Sequence, residues 1–393
     1  MNASGVDVFR GQLKLLVVQP TPFCNIDCTY CYLAGRRDKH RLSRETLQRV
    51  LQNLATDNLI GNELEICWHL GEPLSVGRSY YEDMIPALEA VVAGRTKLSH
   101  TFQTNGTLID EAWCVFFKSI NAQVGVSLDG PKDLHDRRRV TRRGEGTFDR
   151  ALAGFRLLRE AGIRRYVIAV LSLEALRDPD CIFDFFASIG DTNVCFNIEE
   201  SEGIHVSRIG DTEEACHLTR RFFTRLLERL QGDTSGIWVR ELQQMLGLLM
   251  TSRQGACLND NNEPFRVITV AHDGAWTTFS PELISTVSPA YGNFRFGNLG
   301  AEPISHSLSH SHFAAVEREI RSGVDQCRSE CSYFNFCGGG APSNKIAELG
   351  TLAGTETMAC RTMVKSLADG CMDFIEAAVL APTPAAVAAG GTP

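Results

Sequence analysis

From Leu13 onward, short runs of β-branched and other apolar residues alternate with amphipathic stretches. The runs Leu13 to Val18, Leu64 to His69, Leu98 to Thr104, Gln123 to Leu128, Arg165 to Leu173 and Asn193 to Ile198 are short and bounded by turn residues, the pattern of strands. Helical spacing between them predicts helices that begin near Ser43, Tyr80, Asp110, Thr147, Pro179 and Asp211, with Ser43, Asp110, Thr147 and Asp211 as N-caps. A succession of β–α units joined by right-handed crossovers predicts an α/β fold, its parallel sheet curled into a partial (β/α)6 barrel. Chemistry is then expected at the C-terminal ends of the strands.

The rhythm stops near Gln231. Gly232 to Gly236 reads as a linker and Trp238 to Arg253 as a bridging helix. From Ala256 to about Ile375 the chain reads as irregular and rich in Cys, Gly and Asn, as where a metal cluster replaces part of an apolar core. The last stretch, dominated by Ala, Pro, Gly and Thr, predicts disorder. The expected division is 1–232 for the barrel, 233–256 for linker and bridging helix, 257–376 for a small cysteine-rich domain and 377–393 for a tail.

Composition narrows the function. A formal net charge of −8 over 393 residues argues against nucleic acid as a partner, since phosphate binding relies on a basic surface. There is no signal segment and no apolar run long enough for a bilayer, so a cytoplasmic location without a membrane partner is expected. Fourteen cysteines in a reducing compartment point to metal ligation or catalysis before disulfides.

Cys24, Cys28 and Cys31 follow directly on the first strand, before the first helix. Three thiolates hold three irons of a cubane and leave the fourth with an open position. An amino acid can chelate that iron through its amine and carboxylate. If it is S-adenosylmethionine, one electron from the cluster breaks the sulfur–C5′ bond and releases a deoxyadenosyl radical. A zinc site or three packed thiols is the plainer alternative, although no fourth Cys or His stands nearby to close a zinc tetrahedron.

The run CNIDCTYCY resembles the signature of the radical S-adenosylmethionine superfamily, and four further segments agree with it. WHLGEPL is similar to the family's Gly-Gly-Glu-Pro motif, with Leu70 where Gly is usual; the match gives Gly71 and Glu72 the methionine ammonium. QTNGTLID and SLDGP also match, and the latter implies Ser127 and Asp129 near the ribose and methionine moieties, with Tyr30 beside the adenine. HDRRRVTRRGEGTFDR puts Arg139 in the family's arginine position, where it could clamp a carboxylate. For Arg137, Arg138, Arg142 and Arg143 a solvated basic loop is an equal reading.

Cys327, Cys331, Cys337 and Cys360 make a second set. Four thiolates saturate a cubane and suit electron transfer or structure; four-cysteine zinc is the alternative. The region resembles the SPASM extension of radical enzymes that modify peptides and proteins, which commonly carries two auxiliary clusters. Here Phe279 and Ala341 stand where two ligands are usual, leaving Cys257 alone from that set, so one auxiliary cluster, [4Fe–4S] in type, is expected. Cys67, Cys114, Cys181, Cys195, Cys216 and Cys371 read as buried small hydrophobes. His100, His205 and His272 have no metal-spaced partner.

VCFNIEESEG, the Cys327 to Cys331 spacing and CGGGAPSNKIAELGTLAGTETMACR together resemble the cyclophane-forming maturases of the GrrM/OscB type. That resemblance implies a ribosomally made precursor peptide as substrate, a carbon–carbon bond from a β-carbon to an aromatic ring, and a one-electron reductant such as flavodoxin or ferredoxin. The leader would be bound by the barrel, the C-terminal region or another protein. Glu199 and Glu200, at the expected mouth, are candidates for accepting the proton lost on rearomatisation or for gripping peptide backbone; solvated loop carboxylates are the alternative. A sulfatase-type or thioether-forming maturase is the rival enzyme, and an inert iron–sulfur or zinc scaffold the rival of another class.

Overall fold

The computed structural model describes residues 11–190, 192–210, 212–251, 258–308 and 311–380. Its frame is β1 (Leu13–Val18), α1 (Arg44–Thr56), β2 (Ile60–Trp68), α2 (Arg78–Val92), β3 (Lys97–Thr104), α3 (Glu111–Ser119), β4 (Gln123–Ser127), α4 (Phe148–Glu160), β5 (Arg164–Leu171), α5 (Pro179–Ile189), β6 (Asn193–Ile198) and α6 (Glu213–Leu230). Strands β1 to β6 pair in chain order and in parallel, as successive β–α units require. Their apolar side chains, among them Leu16, Ile66, Phe102, Val124, Val167 and Phe196, are buried beneath helices whose apolar stripes face them.

The helix starts follow from side-chain capping. Ser43 and Asp110 accept from backbone amides of their first turns, satisfying donors that the helix leaves open. Thr147 also stands at an N-cap but makes no capping bond; its hydroxyl donates instead to the Arg139 carbonyl at 2.8 Å. For α6 the capping side chain is Thr212, and Asp211 lies outside the described residues.

Several expectations are corrected beyond α6. Trp238–Val239 is not helical but a short seventh parallel strand, β7, beside β6; α7 (Arg240–Thr251) starts after it. The C-terminal region is not irregular. It holds β8 (Val267–Val270) and β9 (Ala275–Thr278), then the helices α8 (Ser311–Glu330), α9 (Pro342–Leu349) and α10 (Leu367–Leu380). The last helix passes the expected start of a disordered tail at Ala377 and packs along α6.

Strand β8 pairs in parallel with β1, and β9 returns antiparallel beside it. The C-terminal region thus extends the barrel sheet, and with Gly297–Asn298 pairing antiparallel on β9 it gives a single ten-stranded sheet. Leu70 marks that junction. It adopts a left-handed backbone, φ 67°, fully buried in a cluster with Val17, Leu33, Val267, Ala271 and Ile284. Left-handed backbone costs a non-glycine residue about 1–2 kcal/mol. Emptying such a pocket costs about 2–5 kcal/mol, so packing outweighs strain. Leu70→Gly is therefore expected to destabilise the protein in denaturant unfolding despite restoring the commoner glycine.

Candidate active site

The loop after β1 carries Cys24, Cys28 and Cys31 to the C-terminal edge of the sheet. Backbone bonds fix it: Asp27 N–H donates to the Val140 carbonyl at 2.7 Å and Thr29 N–H to the Arg138 carbonyl at 2.9 Å. Arg142 donates to the Cys24 carbonyl at 2.7 Å. Arg138 and Arg142 are thus structural members of the site, whereas Arg137 pairs with Glu174 at the surface.

The three thiols line one cavity of about 270 Å³, together with Tyr30, Gly71, Glu72, Ser127, Arg139, Glu199 and Glu200. Of the residues assigned to the cofactor, only Asp129 is absent from the wall. It sits behind, accepting from Tyr30 Oη at 2.6 Å, Arg139 Nε at 3.0 Å and Val170 N–H at 3.0 Å. Its role is to position Tyr30 and Arg139, whose guanidinium lies 5.2 Å from the Tyr30 ring centre. Burial alone would raise the Asp129 pKa; Arg139 and His135 outweigh it and hold the carboxyl below its usual range.

Glu72 ties two strand ends together. Its carboxyl accepts from Leu74 N–H (2.9 Å), Thr104 Oγ1 (2.7 Å) and Asn105 N–H (2.9 Å), and burial pushes it up to about 7. Gly71 is required beside it: a Cβ there would stand 2.4 Å from the Thr21 carbonyl oxygen. Asn105 Nδ2 and Arg139 Nη1 lie 3.9 and 3.8 Å from the sulfurs of Cys24 and Cys28, donors placed for an anionic sulfur ligand.

Among the described residues no three Cys, His, Asp or Glu side chains converge on a single metal ion. The thiols instead stand around a cavity. Mononuclear zinc draws its sulfurs to about 2.3 Å from one point, whereas a cubane spreads them over its corners. The donor set fits the polynuclear group, which Cys24, Cys28 and Cys31 could hold.

On the cavity wall the two glutamates singled out in the sequence part company. Glu199 bonds Arg138 at 2.6 Å and His205 at 2.8 Å; burial opposes its charge, but these partners hold its pKa below the usual value. It is a fixed carboxylate, poorly suited to take up a proton. Glu200 accepts from Asn344 at 2.7 Å, and burial pushes it up to about 7. Glu202 and Glu282 line the same wall, and burial raises both. Neither was singled out: Glu202 follows Glu200 by an ordinary loop spacing, and Glu282 comes from the segment after β9, with no sequence signal linking it to the barrel. His69 is a further lining residue; its buried Nδ1 has no hydrogen-bond partner.

Cys327, Cys331, Cys337 and Cys360 line a second cavity of about 170 Å³. Gly338, Gly339 and Gly340 all take left-handed backbone, wrapping the loop so that Gly339 N–H points to the Cys337 sulfur at 3.4 Å. Asn259 and Asn262 hold the loop from outside through its carbonyls. Donor chemistry and shape fit a four-thiolate cluster. Phe279 lies apart, fully buried and stacked with Phe313 at 6.3 Å. Cys257 lies outside the described residues. Of the remaining cysteines, Cys114, Cys195 and Cys371 are buried, Cys67 and Cys216 half-buried, and Cys181 exposed, contrary to expectation.

Residues 18–179 match the Radical SAM superfamily. The chain is 35% identical to the uncharacterized protein sll1766 of Synechocystis, over 93% of each chain. It is 24% identical to a serine-type anaerobic sulfatase-maturating enzyme of Bacteroides thetaiotaomicron, over 88% of this chain and 86% of that one. Among solved structures it resembles native anSMEcpe with bound AdoMet and Cp18Cys peptide, with a TM-score of 0.74, 18% identity, and coverage of 93% of this chain and 98% of that one. Among the described residues no helix is long and apolar enough to cross a membrane. The chain belongs to the Radical SAM superfamily, whose [4Fe–4S] cluster and S-adenosylmethionine match the donors gathered in the larger cavity.

Proposed function

We propose that this enzyme matures a ribosomally made precursor peptide by joining a β-carbon to an aromatic ring, the cyclophane chemistry its motifs resemble. The supporting observation is the grouping of half-buried carboxyls Glu200, Glu202 and Glu282 on the wall that also carries the three cluster thiols. When bound, the cluster and S-adenosylmethionine supply the deoxyadenosyl radical that removes the β-hydrogen. Addition of the β-carbon radical to the ring leaves a cyclohexadienyl radical, which restores aromaticity by losing one electron and one proton. The net change is loss of two hydrogens from the peptide, one of them carried off as 5′-deoxyadenosine.

Glu200 is the proposed proton acceptor. It stands on the wall with its carboxyl raised by burial and held by Asn344, while Glu282 and Glu348 add like charge. A base must be ionised to act and works best with a pKa near the working pH. Crosslinked product per 5′-deoxyadenosine released should therefore fall as pH drops below about 7 and rise above it. In Glu200→Gln the ratio should be low at every pH; an unaltered profile by peptide mass spectrometry would remove Glu200 from this role.

The reductant is proposed to be a one-electron carrier such as flavodoxin or ferredoxin. The sulfatase-type reading draws on the similarity to the Bacteroides enzyme. Anaerobic co-expression with small open reading frames beside the gene separates the two. Loss of two hydrogens shared between a β-carbon and a ring, without a sulfur link, supports crosslinking; a hydrazine-reactive formylglycine overturns it.

A further inference from the structure

We propose that Lys345 is the built-in counter-charge of an iron–sulfur cluster held by Cys327, Cys331, Cys337 and Cys360, and that it raises the reduction potential of that cluster. The proposal rests on the cluster reading of the second thiol set but not on the identity of the peptide product.

Lysine is almost never fully buried unless paired, yet Lys345 is only 2% exposed. It lies on α9 where the chain clears a path for it. A Cβ added to Gly323 of α8 would come within 2.9 Å of the Lys345 ammonium, and one added to Gly340 within 3.8 Å of its Cε. Among the described residues no carboxylate lies at ion-pair distance from it. Gly340 itself lines the thiol cavity and Gly323 stands one turn before Cys327 on α8, so these contacts place Lys345 beside the thiol set. Lys365 provides the contrast: it lines the thiol cavity directly but is paired with Glu356 at 2.7 Å.

An unpaired ammonium in a poorly hydrated interior is costly unless an anion faces it. Four thiolates around an oxidised cubane leave a double negative charge, and reduction adds one more. A fixed cation within a low-dielectric site therefore favours the reduced state over the oxidised. The electron released on rearomatisation of the peptide ring would pass more readily to a cluster so biased, which must then hand it on to the external redox partner.

The test is an EPR-monitored redox titration of the anaerobically reconstituted full chain. Lys345→Met should move the auxiliary midpoint negative by at least a tenfold change in the reduction equilibrium, about 59 mV for one electron. Lys345→Arg should stay near wild type, and Lys365→Met should shift less because Glu356 already offsets that charge. An unchanged midpoint in Lys345→Met, or an equal shift in Lys365→Met, overturns the proposal. If Lys345→Met fails to load the cluster while Lys345→Arg loads it, the need for charge is supported; failure of both indicates packing and overturns it. A wild-type chain with zinc instead of auxiliary iron would refute the cluster reading itself, whereas peptide mass spectrometry judges the crosslinking reading separately.

Discussion

Replacing Cys28 with alanine should abolish 5′-deoxyadenosine formation from S-adenosylmethionine and dithionite, because two thiolates cannot hold a cubane in register with the cavity. The sulfur lies on the cavity wall, 3.8 Å from Arg139 Nη1, and among the described residues of that wall the other thiols are Cys24 and Cys31, both already in the set. Cys181 is the control. It is exposed on α5, remote in role from either thiol set, and Cys181→Ala should leave 5′-deoxyadenosine formation unaltered. Cys360→Ala should separate the two halves of the reaction, leaving S-adenosylmethionine cleavage while crosslinked peptide is lost. The check is anaerobic chromatography of 5′-deoxyadenosine beside peptide mass spectrometry on the same samples. Equal loss of 5′-deoxyadenosine in Cys28→Ala and Cys360→Ala would mean that the second set is needed to build the first.

A comparably large effect is expected at the Arg139–Asp129 pair, where stability and cofactor geometry meet. Both side chains are almost wholly buried and bonded at 3.0 Å. Removing one partner of a buried pair strands the other charge and typically costs about 3–5 kcal/mol. Arg139→Leu should therefore lower the unfolding midpoint strongly in denaturant titrations. The double variant Arg139→Leu with Asp129→Asn should recover part of that loss, since neither charge is then left alone. The pH sense follows from Asp129. Its pKa is depressed in the folded protein, so the pair's stabilisation is present above the unfolded carboxyl pKa and lost as pH falls through the folded value. Additive losses in the double-variant cycle would argue that the two act independently.

Much of this architecture was legible in the chain because it is local. Leu13–Val18 and Asn193–Ile198 are bounded as their apolar runs predict, and Ser43 and Asp110 cap as their side chains allow. The signature cysteines, Gly71, Glu72, Ser127 and Arg139 converge because each lies at or beyond the C-terminal end of a parallel strand. What was missed depends on distant pairing. Trp238–Val239 is too short to carry a period and becomes a strand only because β6 offers it an edge. The C-terminal region reads as irregular because its glycines and asparagines obscure short strands that add to the barrel sheet through β1. Glu282 reaches the cavity by that same addition, which no local pattern announces. Conversely, Glu199 looked chemically available until the fold placed Arg138 and His205 against it.

The proposed chemistry needs an iron that carries no protein thiolate and accepts the amino acid end of S-adenosylmethionine. The direct measurement is electron–nuclear double resonance on the reduced, anaerobically reconstituted enzyme, with S-adenosylmethionine labelled by ¹⁵N at the amine and ¹⁷O at the carboxylate. Hyperfine coupling of both labels to the cluster, lost in Cys28→Ala, is the predicted result. A fully loaded cluster that shows neither coupling would contradict it.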